Sequence, residues 1–221
     1  MTNVFVETAL RMVEKGFTVH PLRGKIPLVM GWQKLQHITP ATVYEWEQKG
    51  LWSNIGLVCG AASNNTVVID FDGIAGYELF KAAFPDLVNT KTVLTGSGEG
   101  MHCYYAVDLL PDSIGVMDIV TADGEKINIE FKSDGKQVVI PPSVHPDTLK
   151  EYTVHNNAPI MRISNLAGVQ AWAKSLKPQE WQPPKTKTQS TDRLNPALLS
   201  AVEGYFRSQP HKMHHEWIAW C

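Results

Sequence analysis

The stretch Thr66–Gly73, TVVIDFDG, constrains this chain most. Val67, Val68, Ile69 and Phe71 are β-branched or aromatic, the composition of a buried strand. Asp70 and Asp72 interrupt the run at its C-terminal end. Side chains alternate along a strand, so both carboxylates share one face while Ile69 and Phe71 share the other. Two carboxylates on one face repel each other unless a cation sits between them. A hard divalent ion such as Mg²⁺, which takes oxygen ligands, is the usual solution. The plain alternative is a strand closing in an acidic turn, with Asp72 and Gly73 as turn residues. The rest of the chain decides between the two.

At 221 residues the chain has room for one large domain, or one domain and an appendage. No segment approaches a membrane span, and Glu7 and Glu14 make the first twenty residues unlike a signal peptide. Three cysteines, Cys59, Cys103 and Cys221, form no close pair and suit a reduced, cytosolic protein. The net charge of −2 hides an asymmetry. Residues 66–150 carry 13 acidic and 6 basic side chains, whereas residues 1–37 and 174–193 each carry 5 basic and 2 acidic ones. An acidic middle with basic flanks fits a metal site that holds a polyanion, although solvated surfaces account for such counts too.

Along the chain, Val6, Ala9, Leu10 and Val13 repeat at helical spacing within Asn3–Lys15, and Gly16 ends that helix. Phe17–Leu22 reads as a strand and Arg23–Gln33 as a loop. Thr39 and Pro40 open a helix that runs to about Lys49. Asn54–Gly60 is a short strand, followed by a turn and the central strand. A helix over Ala75–Phe84, a strand over Thr90–Leu94, a Gly-rich loop over Thr95–Gly100 and a strand over Met101–Val107 follow. Leu109–Glu125 reads as a long connection. Lys126–Phe131 and Gln137–Ile140 read as a hairpin joined through Ser133-Asp134-Gly135. Tyr152–Val154 is a last short strand and Ser164–Leu176 a helix capped by Ser164. The domain therefore spans residues 1–176. Residues 177–192 read as a linker and 193–221 as a helical appendage, the start of a further region.

Several residues carry candidate chemistry. Glu130 ends the strand KINIE as Asp72 ends VVIDFD. Three carboxylates can hold two Mg²⁺ or Mn²⁺ ions for phosphoryl or nucleotidyl transfer. In TGSGEGMH, Gly96, Gly98 and Gly100 let backbone amides turn toward an anion, Ser97 adds a hydroxyl, and His102 opens the next strand. Lys25, in a Gly/Pro-bounded loop, and Lys132, two residues after Glu130, can each reach a phosphate. Trp32 reads either as a core or lid residue or as a stacking platform. His214, His215 and Cys221 fall short of a zinc site, which needs about four ligands.

Together these stretches resemble the bifunctional primase–polymerase domain of phage and plasmid replication proteins, in the archaeo-eukaryotic primase superfamily. GFTVHPLRGKIPLVMGWQ, NIGLVCG, VVIDFDG, TGSGEGMHCYY and INIEFKSDGKQVVIPPSVHP resemble its motifs in the family's order, over about Met1 to Leu176. The resemblance implies metal ligation by Asp70, Asp72 and Glu130. It implies a catalytic contact from His102 and triphosphate contacts from Ser97, Gly98, His102, Lys25 and Lys132. Ser143 and His145 would line the cleft. Where relatives carry a Ser in a shorter second motif, Gly100 stands here. The zinc-binding insertion of some relatives is missing within residues 1–176, so zinc is not expected there.

The implied fold is α+β: an N-terminal α/β part packed on an RRM-like antiparallel sheet, with the active site in the cleft between them. The implied reaction is template-directed nucleotidyl transfer from an NTP or dNTP onto a primer on single-stranded DNA, with a helicase domain or partner beside it. Two rivals remain. A DxD nucleotide-sugar transferase would use Asp70 and Asp72 but leaves Glu130 and the Gly-rich loop without a role. An inactive single-strand-binding module would gain nothing from exposed carboxylates.

Overall fold

The structure is a computed structural model and describes residues 3–177. The linker and appendage expected after residue 177, with the C-terminal His and Cys residues, lie outside the described residues. The fold is α+β, with two largely antiparallel sheets and four α-helices among the described residues.

Two helices lead the chain. Helix α1 (Val4–Glu14) starts where the Asn3 side chain accepts the Phe5 amide, and Gly16, at φ 80°, follows its end. Helix α2 (Pro40–Gln48) starts at a reciprocal pair between Thr39 and Thr42. Around them lies a four-stranded sheet in the order β2-β1-β3-β9, made of β1 (Val19–Arg23), β2 (Ile26–Pro27), β3 (Asn54–Val58) and β9 (Gln137–Val139). Part of the loop expected over Arg23–Gln33 is thus the strand β2, folded back on β1.

The second sheet is centred on β4 (Thr66–Asp72), flanked by β6 (Met101–Val107) and β8 (Lys126–Lys132). β7 (Ile114–Val120) lies outside β8, and β5 (Thr92–Leu94) and β10 (Thr153–Asn156) lie outside β6. β11 (Met161–Ile163) adds the one parallel pairing among the described strands, also against β6.

Alternation along β4 organises the interior. Val67, Ile69 and Phe71 join the core formed with α3 (Ile74–Ala83) and α4 (Ala167–Ser175). There Phe71 meets Tyr77 and Phe80 at 5.8 and 5.3 Å between ring centroids. Such pairs contribute about 0.5–1.5 kcal/mol each beyond their buried area. Val68, on the opposite face, joins a second core with Val6, Val19, Ile55, Leu57 and Val138. Beyond Val68 the packing on that face gives way to a cavity between the sheets, which Asp70 and Asp72 line.

Three expectations are corrected. The hairpin over Lys126–Ile140 does not form. Gly135, at φ 70°, makes the turn, but both edges of β8 are already taken by β4 and β7, so β9 pairs with β3 in the other sheet. The connection over Leu109–Glu125 contains β7. Its apolar alternation is broken by a register shift between Val116 and Ile119, with Asp118 at φ 55°, which hides the strand from a period-2 reading. The last helix begins at Ala167; Ser164 lies in a bend before it, and its carbonyl accepts the Leu109 amide. The Asn165 side chain, not that of Ser164, takes the Ala167 amide.

Candidate active site

Asp70 stands directly opposite His102 on β6 and Glu130 on β8, so the three side chains form a row across the strands. Asp72, two residues on, faces Asn128, whose amide donates to its Oδ2 at 3.1 Å. The row floors a cavity of about 340 Å³ between the two sheets. Lys25, Gln137, His145 and Tyr152 are among the residues that line its other sides.

The electrostatics centre on Asp70. His102 Nε2 lies 3.4 Å from its Oδ1 and Lys132 Nζ 3.8 Å from its Oδ2, while Lys132 also pairs closely with Glu130. Burial pushes the Asp70 pKa up, but the charge and hydrogen bond of His102, then Lys132 and Lys25, outweigh it. The carboxyl is held below its ordinary value. The His145 pKa is lowered by burial and by Lys25, against a smaller opposing effect of Asp147. His145 Nδ1 accepts the Asp147 and Thr148 amides, and its ring stacks on Tyr152 at 6.2 Å, next to His102.

Asp70, Asp72, Glu130, His102, Ser97, Lys25, Lys132 and His145 all line the one cavity. Two expected residues stand apart. Ser143 is fully buried outside the lining; its hydroxyl accepts the Ile55 amide at 2.9 Å and donates back to the Ile55 carbonyl, clamping the PPS turn to β3. Gly98 lies at φ 86° on the exposed tip of its loop. Within the loop the Gly98 amide donates to the Thr95 carbonyl and the Glu99 amide to Ser97 Oγ. Ser97 itself also bonds to Thr95 Oγ1 at 2.7 Å.

Sequence reading missed Asn128, Gln137 and Tyr152. Asn128 was within reach, since it precedes Glu130 by two residues on the same strand and must share its face. Gln137 and Tyr152 carry no local signal, because sheet pairings distant in sequence bring them to the cavity.

No three His, Cys, Asp or Glu side chains converge to hold a metal ion among the described residues as they are placed. The donor set nevertheless suits a hard divalent cation. It is all oxygen, on one face, with Asp70 and Glu130 directly opposed. A cation already bridges that pair, the Lys132 ammonium. Asp70, Asp72 and Glu130 are the residues that would hold a metal here.

Fold and cavity define an α+β protein with an acidic, His-flanked site facing a lysine across a gap between two sheets. The chain belongs to the bifunctional DNA primase/polymerase family, whose N-terminal domain model matches residues 9–172. It is thereby a primase/polymerase-type protein of replication in general terms. Comparison with curated proteins finds no match. No helix among the described residues is long and apolar enough to cross a membrane.

Proposed function

We propose that this chain is a metal-dependent nucleotidyltransferase that makes or extends primers on single-stranded DNA, with the archaeo-eukaryotic primase fold and the cavity as its active cleft. The row His102–Asp70–Glu130, in register across three strands and opposed by Lys25, carries the reading. Mg²⁺ or Mn²⁺ held by Asp70, Asp72 and Glu130 would lower the pKa of the attacking hydroxyl and neutralise charge at the reacting phosphate.

The primer 3′-hydroxyl attacks the α-phosphorus of an NTP or dNTP. A new P–O bond forms, the bond to the β-phosphate oxygen breaks, pyrophosphate leaves and the hydroxyl proton passes to solvent. The protein's own part is placement. His102 is fixed by Asp70 on one side and packed near Tyr152 on the other, so its ring stays rigid beside the nucleotide. Lys25 on the opposite wall and Lys132, released from Glu130, balance triphosphate charge. Ser97 and His145 line the cavity further round. The partners are single-stranded DNA, nucleoside triphosphates and a helicase activity, in the cytoplasm of a bacterial host.

One observation favours a second reading. The Lys132 ammonium between Asp70 and Glu130 already offsets part of the pair's charge, as a polyanion-binding module without metal chemistry would require.

Primer extension on a primed single-stranded template separates the two, with NTPs and dNTPs supplied in turn in Mg²⁺ or Mn²⁺. The expected result is template-dependent extension that falls to background in Asp70→Ala/Asp72→Ala. A thermal melt supplies an independent readout: Mn²⁺ raises the melting temperature of the wild type and not of the double variant. Absence of both effects, with oligonucleotide binding intact, supports the binding module.

A further inference from the structure

The loop after β1 runs out of the cavity wall and carries features the proposed reaction does not use. From Lys15 to Tyr44 the chain contains no Asp or Glu. Arg23, Lys25 and Lys34 are exposed and make no ion pair among the described residues. Between them stand two bare apolar side chains, Met30 at 99 % and Ile26 at 69 % exposure. A surface that keeps its cations unpaired and two large apolar groups in water is arranged for something that is both anionic and flat-faced.

The loop is nevertheless built to hold its position. Its base is fixed by Asn54 Nδ2 donating to the Gly24 carbonyl at 2.9 Å and Gln137 Nε2 donating to the Lys25 carbonyl at 3.1 Å. Its far end is fixed by Trp32, stacked at 5.2 Å on the buried ring of His20. Lys25 lines the cavity, so the loop is continuous with the cavity wall.

We propose that the segment Arg23–Lys34 is the surface that holds the single-stranded template, an assignment that rests on the polymerase reading of the neighbouring cavity. Arg23 and Lys34 neutralise backbone phosphates, and Met30 and Ile26 pack against unstacked bases. A membrane surface would also suit basic and apolar groups together. Continuity with the cavity favours the nucleic acid, because a template strand has to lie next to the site at which its paired nucleotide reacts.

The test is fluorescence anisotropy of a labelled single-stranded oligonucleotide with the full chain, from about 50 to 200 mM salt. Two lost phosphate contacts flatten the log–log salt slope by about 1.4 in Arg23→Gln/Lys34→Gln. Met30→Ser weakens binding by about twofold to tenfold at every salt concentration and leaves the slope unchanged. All three positions are exposed, so melting temperatures stay at the wild-type value. If the wild type extends primers but the variants bind with its affinity and slope, the loop assignment falls and the polymerase reading stands. If these substitutions abolish binding to phosphatidylserine vesicles and leave oligonucleotide binding intact, the surface is a membrane one. A wild type that binds no oligonucleotide removes both readings.

Discussion

A single histidine shows how burial alone sets chemistry in this protein. His20 has no exposed surface, and neither ring nitrogen has a well-formed hydrogen bond. Burial lowers its pKa to about 4, and the nearby Pro21 backbone and Gln137 side chain offset only part of that. The unfolded chain binds this proton near pH 6.5, so it holds more protons than the folded one between the two values. Stability attributable to His20 is therefore complete above pH 6.5 and lost as pH falls toward 4. From pH 7 to pH 5 the loss amounts to about 2 kcal/mol. Urea melts at the two pH values, compared with His20→Leu, should show that extra loss in the wild type only. An equal loss in both proteins would place the acid sensitivity elsewhere. Asp70 illustrates the opposite balance, where His102, Lys132 and Lys25 outweigh burial and hold the carboxyl below its ordinary value.

Elements are locked together at a few close approaches. Gly60, which follows β3, adopts φ 83° and ψ −145°, a conformation open essentially to glycine. A Cβ there would lie 1.9 Å from Asp134 Oδ1 and 2.8 Å from the Asp134 Cα. The same Asp134 carboxylate accepts the Ala61 amide at 2.7 Å. That contact pins the β8–β9 crossover to the β3–β4 turn and so fixes Glu130 and Gln137 relative to Asp70. Gly60→Ala forces both strain and displacement of Asp134. The expected cost is about 2–4 kcal/mol, read from the urea midpoint. A change below about 0.5 kcal/mol would mean that the turn has room to give.

In the whole domain, sequence order and spatial order are interleaved. The chain builds β1–β3 in one sheet, β4–β8 in the other, returns for β9 and leaves again for β10. Neither layer is complete until the chain has crossed between them repeatedly, so the two cores should unfold in one cooperative step. Trp46 and Trp52 report the core around the first sheet, and Trp172, packed on Phe80 and Phe84, reports the helical side of the second. Denaturation followed through each probe in single-tryptophan variants should give coincident midpoints. Separated midpoints would show that the layers are independent folding units.

What depends on near neighbours is legible along the chain. Strand alternation put Asp70 and Asp72 on one face and Glu130 with Lys132 on another strand's face. The caps at Asn3 and Thr39 and the turn at Gly135 follow from local hydrogen bonding and φ preference. The order of the motifs carried the family. Which strands pair is set by the assembled fold. It sent β9 away from β8, made β7 an edge strand through a bulge, and used the Ser143 hydroxyl as a clamp on Ile55. It also set Lys132 between Asp70 and Glu130, and brought Gln137 and Tyr152 to a cavity that no local pattern announces. Pairing depends on which strand edges remain free once every other strand is in place, and that is a property of the assembled sheets.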